Sequence, residues 1–191
     1  MTFTEVTALL QQYEELARQQ GAAAMELLRP GLTSDELDAV EARYGFTLPE
    51  DVKAIWSWHN GVARRPSAES PRRIGATWDF MDLDRSIEHA RASLNVRNAG
   101  DADRYLSSRW VTLAASSVSA VIETNNSRVP DAAVLVDDPA ESVFAYPIVT
   151  VAQQLRWYIW AIESGAWYVD ERGEWRSDSG KYPANAIKDI I

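Results

Sequence analysis

The feature that most constrains this chain is a pair of helices joined by a fixed turn, written into residues 32–61 as LTSDELDAVEARYGFTLPEDVKAIWSWHNG. Thr33 is an N-cap residue, and Glu36 three places on completes a capping box, so two orphan amides at the helix start are satisfied reciprocally. Leu32 and Leu37 hold the two positions of a hydrophobic staple, and Leu37, Val40 and Tyr44 then fall on one face. Gly45 ends the first helix, because glycine enters the left-handed region without a steric penalty. Pro49 opens the second, where a missing N–H costs nothing, and Glu50 and Asp51 follow in a first turn that favours negative charge. Val52, Ile55, Trp56 and His59 make one apolar stripe, and Asn60-Gly61 stops it.

This stretch resembles the N-terminal part of the SMI1/KNR4 (SUKH) family. The family pattern is a short amphipathic helix ending in glycine, a Leu-Pro step, a second helix and an Asn-Gly stop. Here those elements are Leu37, Glu41, Gly45, Leu48, Pro49, Asn60 and Gly61, several spaced features in the right order. In looser form the resemblance continues to about residue 165, with Trp110 where the family often has a Trp before its first well-defined central strand. It implies an α+β fold, a mainly antiparallel sheet packed by helices. For bacterial members it implies an immunity protein that binds and neutralises a polymorphic or contact-dependent toxin, and many such toxins are nucleases. Fungal relatives act in cell-wall synthesis control and signalling, so a regulatory or scaffolding role is the alternative.

Charge bears on the partner. The 191 residues carry a formal net charge of −9, and an acidic surface repels phosphate backbones, which argues against nucleic acid. It attracts a basic protein and speeds encounter, although acidity that serves solubility alone is an equally open reading. A basic nuclease domain would fit an acidic inhibitor acting as plug or substrate mimic. The chain has no cysteine, which removes disulfides, thiolate nucleophiles and most zinc sites and is compatible with the cytoplasm. Its N-terminus lacks a basic start followed by an apolar core, and no apolar run approaches membrane-spanning length, so the expectation is a cytoplasmic protein without a membrane partner.

Around the helix pair the expectation is three parts: an N-terminal helical extension (1–29), the SMI1/KNR4-like domain (30–165), and an aromatic hairpin-like tail (166–191) packed on it. Val6, Leu9, Leu10, Tyr13, Leu16 and Ala17 recur at helical spacing. Gly21 interrupts that helix, the following alanines resume it up to Arg29, and its leucine face packs on the domain or, alternatively, on a second copy, giving a monomer or weak dimer. Residues 62–76, with two Arg pairs and two prolines, read as an exposed loop, either a connector or a basic contact. Residues 78–84 read as a short strand entering a turn, followed by a helix with Leu83, Ile87, Ala90 and Leu94 on one face and Asp84 as its cap. Strands follow at 110–113, 118–124, 132–136 and 143–146, antiparallel because their connections are short. Thr150 and Gln153 form a second capping box for an almost wholly apolar helix ended by Gly165, with Trp157 and Trp160 either covered or offered to a partner. Residues 167–169 and 174–176 flank a four-residue turn, and Trp167, Tyr168 and Trp175 either pack inward or form a contact surface.

Chemistry-bearing patterns are sparse. His59 lies on the apolar stripe and His89 on a surface helix, and neither sits in a metal or triad pattern. There is no phosphate loop, dinucleotide fingerprint or Gly-x-Ser-x-Gly. An enzyme would have to rely on carboxylates alone. Asp79, Asp82 and Asp84 lack the glycine and distal glutamate of a calcium loop. The expectation is a non-catalytic protein-binding module with no cofactor or metal, whose partner is a basic toxin domain. Its contact residues are expected among the exposed acids and aromatics near the sheet: Trp78, Asp79, Asp82, Asp84, Asp137 and Asp138. The motif residues Leu37, Glu41, Gly45, Leu48, Pro49, Asn60, Gly61 and Trp110 are expected to fix turns and core.

Overall fold

The computed structural model describes residues 2–63, 73–76, 78–97, 110–115, 119–123, 133–137 and 149–183. The elements in order are α1 (Phe3–Gln19), a 3-10 turn (Ala23–Leu27), β1 (Leu28–Pro30), α2 (Ser34–Tyr44), α3 (Glu50–Trp58), β2 (His59–Val62), α4 (Leu83–Arg97), β3 (Trp110–Ala115), β4 (Ser119–Glu123), β5 (Ala133–Asp137), β6 (Val149–Thr150), α5 (Val151–Glu163), β7 (Trp167–Val169) and β8 (Trp175–Ser177). The chain is α+β. Strands β3-β4-β5-β6 form an antiparallel meander, and β1-β2 and β7-β8 are separate two-stranded ribbons. Within the meander Val121 faces Thr112 on one side and Leu135 on the other, and Val134 faces Val149. The expected strand at 143–146 lies outside the described residues.

Both capping boxes are present. Thr33 accepts from Glu36 N and Glu36 reaches back to Thr33 N, and Thr150 and Gln153 do the same for α5. Gly45 sits at φ 74° and its N–H returns to Glu41 O.

Five local expectations change. After Gly21 the alanines make only a 3-10 turn, because Leu28–Pro30 leaves to pair with β2. For the same reason α3 stops at Trp58, and His59, Asn60 and Gly61 belong to a strand. Among the described residues, 78–84 form no strand: they make one isolated antiparallel bridge, Arg73 to Asp79, and Phe80 O accepts from Val62 N at 3.1 Å. Asp82, not Asp84, caps α4, its Oδ1 accepting from Arg85 N at 3.0 Å. The end of the presumed exposed loop turns inward, with Ile74, Gly75 and Ala76 buried.

The core is an aromatic wall. Trp78 packs on Tyr13, Phe80 and Tyr158 at centroid distances of 5.4, 5.5 and 5.0 Å. Tyr158 stacks on Trp167 at 4.9 Å, which in turn meets Trp175. Such ring pairs add about 0.5–1.5 kcal/mol each beyond burial. The helix α1 is not peripheral: Val6, Leu10, Tyr13 and Ala17 are all fully buried, against α5 and α3. Tyr13 donates its hydroxyl to Ile74 O, which anchors the inward end of the loop. The tail hairpin closes over the end of α1, Ala23 N donating to Gly173 O at 3.0 Å. Its second strand is Trp175–Ser177, one residue later than the spacing suggested. Trp167 and Trp175 are buried and Tyr168 is exposed.

Candidate functional site

The motif residues converge on one junction, where α2, α3, β2 and the start of α4 meet. Glu41 Oε1 accepts from Leu48 N at 2.7 Å and pairs with Lys53 at 3.1 Å, tying the end of α2 to the start of α3. Leu37 and Leu48 are buried, and Pro49 is the N-cap residue of α3. Asn60 Oδ1 accepts from Leu83 N at 3.0 Å, satisfying an amide at the start of α4. Gly61 sits at φ 77°, and a Cβ there would lie 2.7 Å from the carbonyl carbon of Met81. Asn60-Gly61 therefore docks one backbone on another. Trp110 begins β3, opposite Glu123.

The acids and aromatic expected to face a partner separate. Trp78 is 0% exposed and its indole N–H donates to Leu113 O at 2.8 Å, so it is a core residue and presents nothing to a partner. Asp82 caps α4 and lies 3.5 Å from Arg29. Asp84 accepts from Arg43 at 2.8 Å and also bonds Tyr44, whose hydroxyl is pushed up by burial and by this carboxylate. Asp79 is half-buried in the bridge to Arg73. Asp137 ends β5 opposite Ser119. Asp138 lies outside the described residues, as do Arg64, Arg65 and Arg72 of the basic loop.

Two charged clusters were not foreseen. The first is on α2 and α3. Residues 34–58 hold six acids and two bases, a net −4 of the chain's −9. Asp35, Glu36, Asp38 and Glu50 are exposed there. Asp38, Glu41 and Glu50 all act on Lys53: burial works against its charge, but the Glu41 bond and the fields of these carboxylates more than offset it and raise its pKa. The signal was legible, since residues 35–51 contain six acids and one base.

The second cluster joins α1 to the β1-β2 ribbon. Glu14 Oε2 accepts from Trp58 Nε1 at 2.7 Å and lies 3.3 Å from His59 Nε2, while Oε1 accepts from Arg18 at 2.9 Å. Partial burial works against ionisation, but the bonds from Trp58, Arg18 and His59 outweigh it and hold Glu14 below the usual glutamate range. A shallow open groove of about 570 Å³ runs beside it, lined among the described residues by Gln11, Glu14, Glu15, Arg18 and Gln19. This pairing spans more than 40 residues of sequence, and nothing local announces it. His89, expected on a surface, is half-buried with Nδ1 3.2 Å from Thr112 Oγ1. Among the described residues no group of three or more His, Cys, Asp or Glu is placed to hold a metal ion, and no helix is long and apolar enough to cross a membrane.

The arrangement of motif and junction matches a known family. The model of the SMI1 / KNR4 family (SUKH-1) matches residues 31–147, more than half of the chain. The chain belongs to the SMI1/KNR4 family. A search of curated proteins returned no match. The matched span starts after α1 and β1 and stops before α5, so the SUKH-1 region covers the helix pair, α4 and strands β2 to β5. Membership supports a protein-binding role.

Proposed function

We propose that this SUKH-1 protein is a non-catalytic immunity protein that neutralises a basic toxin domain by direct binding. The observation that carries the reading is the concentration of net negative charge within the first third of a SUKH-1 chain, on α2 and α3. Asp35, Asp38 and Glu50 are solvent-exposed and only partly offset by Lys53, so they are available to a cationic surface. Asp84 lies at the edge of this face, linked to α2 through Arg43 and Tyr44, and extends it. Complementary charge of this kind accelerates encounter and suppresses wrong partners more than it sets final affinity. Asp79, Asp137 and Asp138 remain part of the proposed contact set. Localisation in the cytoplasm and a nuclease as the toxin belong to the same proposal.

The test is inhibition of a purified candidate toxin domain, taken first from any toxin gene found beside this one. Stoichiometric loss of toxin activity on adding this protein supports immunity. Full activity with the protein in excess overturns it, and several weaker envelope or signalling partners in a host capture would move the assignment to a regulatory role.

A further inference from the structure

His59 stands between two acceptors. Its Nδ1 is 2.9 Å from the backbone carbonyl of Arg29 in β1, and its Nε2 is 3.3 Å from Glu14 Oε2 in α1. A carbonyl cannot donate, so Nδ1 carries a proton. Glu14 is engaged as an acceptor by Trp58 and Arg18, so it too faces Nε2 as a carboxylate. Both ring nitrogens therefore donate in this geometry, and only the imidazolium has two protons to give.

We propose that His59 is a proton-dependent clasp between α1 and the β1-β2 ribbon, closed when Glu14 is ionised and His59 is doubly protonated. The other groups around it fit that assignment. From α1, Arg18 holds the second oxygen of Glu14 and also pairs with Glu26 at 2.6 Å. From β1, the Arg29 guanidinium turns away to Asp82 at the entrance of α4. Trp58 meets the imidazole edge-on at 4.6 Å and fixes its plane. Loss of the Nε2 proton leaves a lone pair opposite a carboxylate oxygen and removes a charge-assisted bond, so the seam loosens on the alkaline side. Protonation of Glu14 removes the acceptor, so it also loosens in acid. The clasp crosses the boundary of the family span: Trp58 and His59 lie within residues 31–147, and Glu14 precedes them. It seats a helix that lies outside the matched span.

Hydrogen exchange on the full chain at about pH 6 and about pH 8.5 tests this once intrinsic rates are divided out. Amides of residues 14–18 and of Leu28 and Arg29 are expected to lose roughly five- to tenfold protection at the higher pH, the scale of one partly exposed charge-assisted bond. In Glu14→Gln the amide can donate to a neutral imidazole, so the difference is expected to vanish. An independent readout in the unsubstituted protein is the imidazole ¹⁵N spectrum, which should show His59 protonated on both nitrogens at the lower pH. Equal protection at both pH values, an unchanged pH response in Glu14→Gln, or a singly protonated His59 at the lower pH would each overturn the clasp.

Discussion

Helices α1 and α2 both carry an apolar stripe and an N-cap threonine, yet they do opposite work. α1 precedes the family span and buries four side chains completely, one of them in the centre of the aromatic wall. α2 carries the first part of the family motif and buries only Leu37 and Val40, leaving Asp35, Glu36 and Asp38 in water. Family membership and structural centrality are thus different properties. The span that is shared supplies the junction and the charged face. The flanking segments α1, α5 and the β7-β8 hairpin supply much of the hydrophobic burial that holds it.

Cutting into each helix in turn would break this comparison if it is wrong. Tyr13→Ala empties a site packed by Trp78 and Tyr158 and orphans the Ile74 carbonyl, and should cost about 4 kcal/mol in a denaturant titration. Leu37→Ala should cost about 2.5 kcal/mol, near the lower end for a buried leucine. A larger loss at Leu37 than at Tyr13 would reverse the ranking. Gly61→Ala combines a left-handed backbone with a clash against the Met81–Asp82 backbone and should cost about 3 kcal/mol, read as a lowered melting temperature. A smaller effect concerns the hairpin that closes over the end of α1. Asp170 is held below the usual carboxylate range, first by Glu174 N and then by Arg172 N and Arg176, despite some desolvation. A depressed carboxyl contributes above its unfolded pKa and loses that contribution as pH falls through its folded one. The Arg172 and Glu174 amide shifts should therefore move together in acid, and Asp170→Ala should abolish that step. The smallest effect on stability is expected from the acids of α2 and α3. Asp35→Asn, Asp38→Asn and Glu50→Gln together should change it by under about 0.5 kcal/mol per site, while slowing association with a basic partner at low salt several-fold.

Much of this fold was legible because its signals are local. Thr33 with Glu36 and Thr150 with Gln153 announce their helices through one turn of hydrogen bonding, and the first three strands of the meander follow from short apolar runs, while β6 at Val149–Thr150 was not expected. What was missed depends on distant partners. His59 reads as the end of a helical stripe until β1 pairs with it, Pro30 opposite His59, from 29 residues away. Asp82 and Asp84 both suit a cap, and Asn60 reaching Leu83 N favours a helix start that leaves Asp82 outside it. Trp78 in a run of aspartates reads as exposed, but its indole finds Leu113 O inside the core. The contact set lost its aromatic member for that reason, and the acidic face on α2 and α3 was overlooked because its residues also serve the family motif.

The most direct measurement is a calorimetric titration of the full chain with a candidate basic toxin domain, in the unsubstituted form and with Asp35→Asn, Asp38→Asn and Glu50→Gln combined. One tight 1:1 site, of about nanomolar Kd, that weakens in the substituted protein at low salt and converges with it at high salt is the predicted result. No heat of binding, together with undiminished toxin activity at excess protein, would contradict the immunity reading.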